Sequence, residues 1–126
     1  MNTSRIAAMA GVVAIGLTGC GGSSNKQLSY SDFVAKANKL CSDGQAALTK
    51  ATSASDSAKT LADYTKRFKD LKPPDQLKPA HDQFVQLSEQ QLVLLKKGDT
   101  AGANVLSKKS DEVASKMGTQ DCISQG

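Results

Sequence analysis

From residue 30 to residue 118, apolar residues return every three or four positions and never alternate strictly, a helical pattern with no competing strand signal. The spacing predicts a first helix over about Ser31 to Ala51. Phe33, Ala37, Leu40, Cys41, Gly44, Leu48 and Ala51 share one of its faces. Ser31 is placed to cap it, Asp32 suits the positive first turn, and Tyr30 can staple across the cap. The polar run Thr52 to Ser57 breaks the pattern, with Ser55 or Asp56 as caps for a second helix carrying Leu61, Tyr64, Phe68 and Leu71. Pro73-Pro74 ends it, because proline bars the helical region for the residue before it. A third helix follows, with Asp75 as its expected cap and Pro79 tolerated in its first turn. Leu77, Phe84, Leu87 and Leu94 give it a broad apolar face, and Leu92-Val93-Leu94-Leu95 is the most hydrophobic stretch of the chain beyond its first 20 residues. Gly98 closes it after Lys96-Lys97. Asp99 caps a fourth helix with Ala103, Leu106, Ser110, Val113 and Met117 on one face, and Gly118 stops it.

Short connections make consecutive helices antiparallel neighbours, so the expected fold is all-α, an up-down-up-down four-helix bundle. A three-helix bundle with the first two helices fused is the alternative. In the four-helix topology the last helix lies beside the first. The tail Thr119-Gln120-Asp121 can then turn back and carry Cys122 to the first helix.

The N-terminus follows a different pattern. Twelve apolar or small residues, Ile6 to Leu17, follow Arg5, the only charge in the leading segment. As a helix they reach roughly 18 Å, short of a ~30 Å hydrocarbon core. Leu17-Thr18-Gly19-Cys20 comes next and resembles the lipobox of bacterial lipoproteins at all four motif positions. The resemblance implies that Cys20 takes a diacylglyceryl group as a thioether, that a dedicated peptidase cuts before it, and that an N-acyl chain can follow. A plain secreted protein starting with a free cysteine is the alternative. A thiolate is the side chain nucleophilic enough for such acylation. Two or three chains, at about 0.8 kcal/mol per buried methylene, anchor stably where one is marginal. The chain then divides into a signal peptide over 1–19, a lipid-anchored flexible tether over 20–29 and a helical domain over 30–126. The expected location is the extracytoplasmic face of the cell membrane.

Beyond the leader, fifteen basic residues face twelve acidic ones, interspersed along the chain. No dense basic run and few aromatics are present, so nucleic acid is not an expected partner. With Cys20 assigned to lipid, Cys41 and Cys122 remain. In an oxidising compartment an even remainder reads as a disulfide, against the alternative of two buried free thiols.

Reactive constellations are sparse. His81 is the only histidine, and Asp82 beside it does not face it on a helix, so it reads as a packed ring rather than a base or ligand. A haem site pairing His81 with Met117 lacks the c-type attachment motif. Asp111-Glu112 stands at helical spacing from Lys108, Lys109 and Lys116, a solvated ion-paired face. No phosphate loop, Ser-His-Asp order or Ser-x-x-Lys motif occurs, and an enzyme is not expected. No cofactor is expected beyond the covalent lipid, and no metal site. Lys66, Arg67, Lys69, Lys72 and Lys78 gather near the second helix–third helix junction. They form a solvent-exposed set or, if that junction lies at the anchored end, a patch facing anionic headgroups.

The segment Phe33 to Cys41, the Leu71-Lys72-Pro73-Pro74 break and Cys122 give the body a resemblance to small two-cysteine helical lipoproteins of Gram-positive and actinobacterial envelopes. Such proteins generally carry no assigned activity. The expected function is a non-enzymatic, membrane-tethered module that binds an envelope protein. The alternative is a carrier of a small apolar ligand between the helices, which requires a cavity above ~300 Å³.

Overall fold

The computed structural model describes residues 26–124. Four helices follow one another: α1 (Tyr30–Thr49), α2 (Ala54–Lys69), α3 (Lys78–Lys96) and α4 (Thr100–Met117), with single 3-10 turns at Asp75–Leu77 and Gln120–Cys122. No strand occurs among the described residues, and the helices pack as the expected four-helix bundle, with α1 and α2 separate.

The helix ends follow local chemistry, with shifts of a residue or two. Ser29, not Ser31, caps α1, its hydroxyl accepting from the Asp32 amide at 3.2 Å. Leu28 and Phe33 therefore take the staple positions expected of Tyr30, and both join the core. Ser53 caps α2 in place of Ser55 or Asp56, accepting from the Asp56 amide at 3.1 Å. Asp75 opens the 3-10 turn and does not cap α3, which starts at Lys78 with Pro79 in its first turn. Asp99 caps α4 through the Gly102 amide at 2.8 Å. Gly98 and Gly118 both adopt the left-handed conformation, at φ 77° and 75°. Each closes its helix with paired bonds: Gly98 N–H to Leu95 and Asp99 N–H to Leu94, then Gly118 N–H to Ser115 and Thr119 N–H to Ala114.

The core sits at one end. Where α1 begins and α2 and α4 finish, Phe33, Phe68, Phe84 and Met117 are at most 3 % exposed. Phe68 packs on Phe84 at 4.7 Å between ring centroids and edge-on to Phe33 at 6.3 Å. His81 stacks on Phe68 at 5.5 Å. We call this end proximal, and the end carrying the α1–α2 and α3–α4 connections distal.

The C-terminal tail alters the expected neighbourhood of α1 and α4. After Gly118 the chain turns back and climbs along α1. The Asp121 amide donates to Asn38 Oδ1 at 3.1 Å, and Gln45 Nε2 donates to the carbonyls of Asp121 and Ile123. On the other flank, Ser124 donates its amide and hydroxyl to the Asp111 carboxylate at 2.8 and 2.6 Å. The tail thus bridges α1 and α4, and α1 approaches the tail's turn more closely than it approaches α4. A Cys41–Cys122 disulfide, with its Cα atoms 4.8 Å apart, fastens the tail to α1.

Candidate functional site

Each expected site residue can now be placed. Cys20, with the lipobox and the leader, lies outside the described residues. The end of the expected tether belongs to the folded body: the Leu28 amide donates to the Lys72 carbonyl at 2.9 Å. Gln27 Nε2 donates to Asp75 Oδ1 at 2.8 Å and to the Pro73 carbonyl at 3.2 Å. The chain entering the bundle is therefore clipped to the α2–α3 junction.

The five basic residues expected at that junction are all exposed there, but they do not form an unopposed patch. Lys69 pairs with Glu89 at 3.1 Å, Lys78 with Asp82 at 2.9 Å, and Arg67 lies 3.9 Å from Asp63. Lys66 and Lys72 make no ion pair among the described residues.

His81 is buried, as a packed ring should be. Its Nε2 lies 3.0 Å from the Phe68 carbonyl, so Nε2 carries the proton and donates to the end of α2. Contrary to the helical-wheel expectation, Nδ1 does reach Asp82, at 3.3 Å from Oδ1. The hydrogen bond from Lys78 is the main cause that holds the Asp82 carboxyl below the ordinary carboxylate range. Nε2 is engaged within the fold, and the ring packs on two phenylalanines at the margin of a shallow surface groove. The expected ion pairs along α4 are likewise replaced, because Asp111 holds Ser124 and no Lys108, Lys109 or Lys116 pair forms among the described residues. No group of three metal-ligating side chains occurs among the described residues.

A cavity of about 110 Å³ opens where the proximal core stops. Small residues from three helices surround it: Gly44 on α1, Ser88 on α3, and Ser107 and Ser110 on α4. Tyr64 from α2 lies against Gly44, its Cδ2 2.9 Å from where a β-carbon would stand, and its hydroxyl sits 2.9 Å from Cys41 Sγ. Burial pushes the Tyr64 hydroxyl well above the ordinary phenol range. Ser88 and Ser110 spend their protons on the carbonyls of Phe84 and Leu106, one turn back on their own helices. The sequence carried one trace of this layer, serines at core-facing positions of α3 and α4.

Beyond the cavity the apolar residues are only partly covered. The stretch Leu92 to Leu95 does not fill a core: Val93 is 49 % exposed, and its three leucines are half-buried. Val105 on α4 is 56 % exposed and Leu48 on α1 is 37 % exposed. An open groove of about 510 Å³ runs between the start of α2 and the end of α3, floored by Ala54, Ala58, Ala62 and Leu95 and edged by Lys59 and Lys96. Of the four large apolar side chains most open to solvent among the described residues, Val93, Val105 and Leu48 belong to the distal end, and the fourth, Tyr30, is at the start of α1.

No protein-family model, curated protein sequence or solved structure matches this chain.

Proposed function

We propose that the chain is a lipid-tethered, extracytoplasmic interaction module that presents its distal end to a protein of the cell envelope. The single observation that carries the binding role is the partly exposed apolar side chains of Val93, Val105 and the half-buried leucines, in a small bundle whose aromatic core lies at the other end. The lipobox at Leu17 to Cys20 supports the anchor. The clip at Gln27 and Leu28 then supports an orientation. The seven steps from Cys20 to Gln27 reach at most about 25 Å, which keeps the α2–α3 junction near the lipid, while α1, ~30 Å long, carries the distal end outward. Lys66 and Lys72, the unpaired members of the basic cluster, are the cations best placed to meet anionic headgroups, at about 1 kcal/mol each near the surface. The carrier alternative, which calls for a ligand held in the core, is disfavoured by the core cavity, whose 110 Å³ falls below the ~300 Å³ that a ligand pocket needs; the larger groove between α2 and α3 is open to solvent.

Two measurements test the reading. Cys20→Ala should leave an uncleaved precursor that loses the detergent partitioning of the wild-type chain; processing and partitioning unchanged by the substitution overturn the anchor. A photo-crosslinking residue at Val93 or Val105 should give discrete adducts in intact cells, whereas one at Lys116 should not. Equal labelling at all three positions overturns the distal site.

A further inference from the structure

We infer that the groove between α2 and α3 at the distal end receives an acidic amphipathic helix of the partner protein, a specification that rests on the interaction-module reading.

The groove floor is apolar and low. Ala54, Ala58 and Ala62 recur every four residues along α2 and so form one straight strip, about 12 Å or two turns long. Leu95 of α3 forms the facing wall. A strip of methyl groups with no large side chain lets a second helix approach closely, with its own larger apolar side chains filling the space above the alanines.

The charge at the edge selects the partner. Lys59 and Lys96 stand on the two sides, both exposed, and neither makes an ion pair among the described residues. No carboxylate lines the groove. An apolar floor with two unopposed ammonium groups is complementary to an apolar ridge flanked by Asp or Glu, the helix-in-groove mode of recognition. A bilayer is the wrong partner for this site, because the Gln27–Asp75 clip lies at the opposite end of the bundle. A second copy of this chain, in which basic residues outnumber acidic ones, is a less complementary occupant for a groove edged by two lysines.

The test uses the full chain in nanodiscs of zwitterionic lipid and three synthetic peptides. One has a leucine ridge flanked by glutamates, one the same ridge flanked by lysines, and one is a scrambled acidic sequence. The ridge-and-glutamate peptide should shift the methyl resonances of Ala58, Ala62 and Leu95. It should bind about tenfold more weakly after the paired change Lys59→Glu and Lys96→Glu, two exposed positions where folding is not at stake. Ala58→Leu, which fills the floor, should abolish the shifts. The inference is overturned if the lysine or scrambled peptide binds equally well, if the charge-reversed chain binds the acidic peptide undiminished, or if the shifts fall outside the groove. Those failures are separable from failure of the interaction-module reading, which is judged by the Val93 and Val105 adducts in cells and does not depend on the peptides.

Discussion

Phe68 and Leu95 are each the next-to-last residue of their helix, yet Phe68 is 1 % exposed while Leu95 stays half-buried and lines an open groove. The two residues stand for the two ends of the molecule. At the proximal end three phenylalanines, a stacked histidine, a methionine and a disulfide-fastened tail pack against one another in a single buried cluster. At the distal end leucines and valines of comparable hydrophobicity find no complete partner within the fold. A bundle of this size does not need both ends packed to stay folded, provided one end is stabilised strongly. With the aromatic core at one end and the crosslink midway along α1, the other end keeps apolar groups partly exposed without losing the fold.

The sharpest way to break that contrast is to remove the crosslink. Cys41 and Cys122 are 81 residues apart, and opening so long a loop should cost about 4–5 kcal/mol in the chain-entropy model. Denaturant unfolding of the doubly Cys→Ala chain should show a loss of that order. The amide protection of Asp121 and Ser124 should vanish with it, because their bonds to Asn38 and Asp111 depend on the tail being held. Unchanged stability would place the proximal strength in the aromatics alone. Those aromatics are tested next: Phe68→Ala should cost about 3–5 kcal/mol, against about 1 kcal/mol for Leu95→Ala, which removes a side chain that water already reaches. Equal costs at the two positions would erase the distinction between the ends.

How far the sequence discloses this asymmetry depends on the range of the interaction. Asp99, Gly98, Gly118 and Pro73-Pro74 were legible because caps, left-handed stops and proline breaks act within a few residues. Cys41 on the core face of its helix and Cys122 after the last one were legible as a pair by count and topology. The caps at Ser29 and Ser53 were missed by two or three residues because Ser29, Ser31, Ser53, Ser55 and Asp56 offer nearly equivalent local chemistry, and packing chose among them. The tail's bridge was not legible. Asn38–Asp121 and Asp111–Ser124 join polar groups 83 and 13 positions apart and leave no periodic signal. Hydropathy was misleading at Leu92 to Leu95, because it measures a side chain's preference for burial and not the presence of a partner to bury it. The open groove was invisible for the same reason.

The two left-handed glycines sharpen the comparison at smaller energies. Gly98 and Gly118 have nearly the same φ and the same pattern of closing bonds, but a β-carbon on distal Gly98 meets nothing within 4 Å, whereas one on proximal Gly118 meets the Tyr30 hydroxyl at 2.6 Å. Gly98→Ala should therefore cost about 1 kcal/mol, the strain of the left-handed region alone. Gly118→Ala should cost about 2 kcal/mol and change the chemical shifts of the Tyr30 ring, which must swing outward. Identical losses would mean that packing at the proximal end does not extend to its rim.

Tyr64 marks the border between the ends, with Phe68 one turn below it and the cavity against its ring. The folded chain holds its phenol neutral, raising its pKa above the ordinary value, whereas in the unfolded chain it ionises near pH 10. The raised value means that the stabilisation is fully present below pH 10 and declines as pH rises above it, because only the unfolded state gains the charge. The loss attributable to this residue should be about 1 kcal/mol by pH 11. Tyr64→Phe keeps the ring against Gly44 and removes the proton, so its stability should fall less steeply than wild type between pH 10 and 11. Parallel curves for the two chains would show that water already reaches the hydroxyl through the cavity, and would place the border of the open distal end below Tyr64 rather than above it.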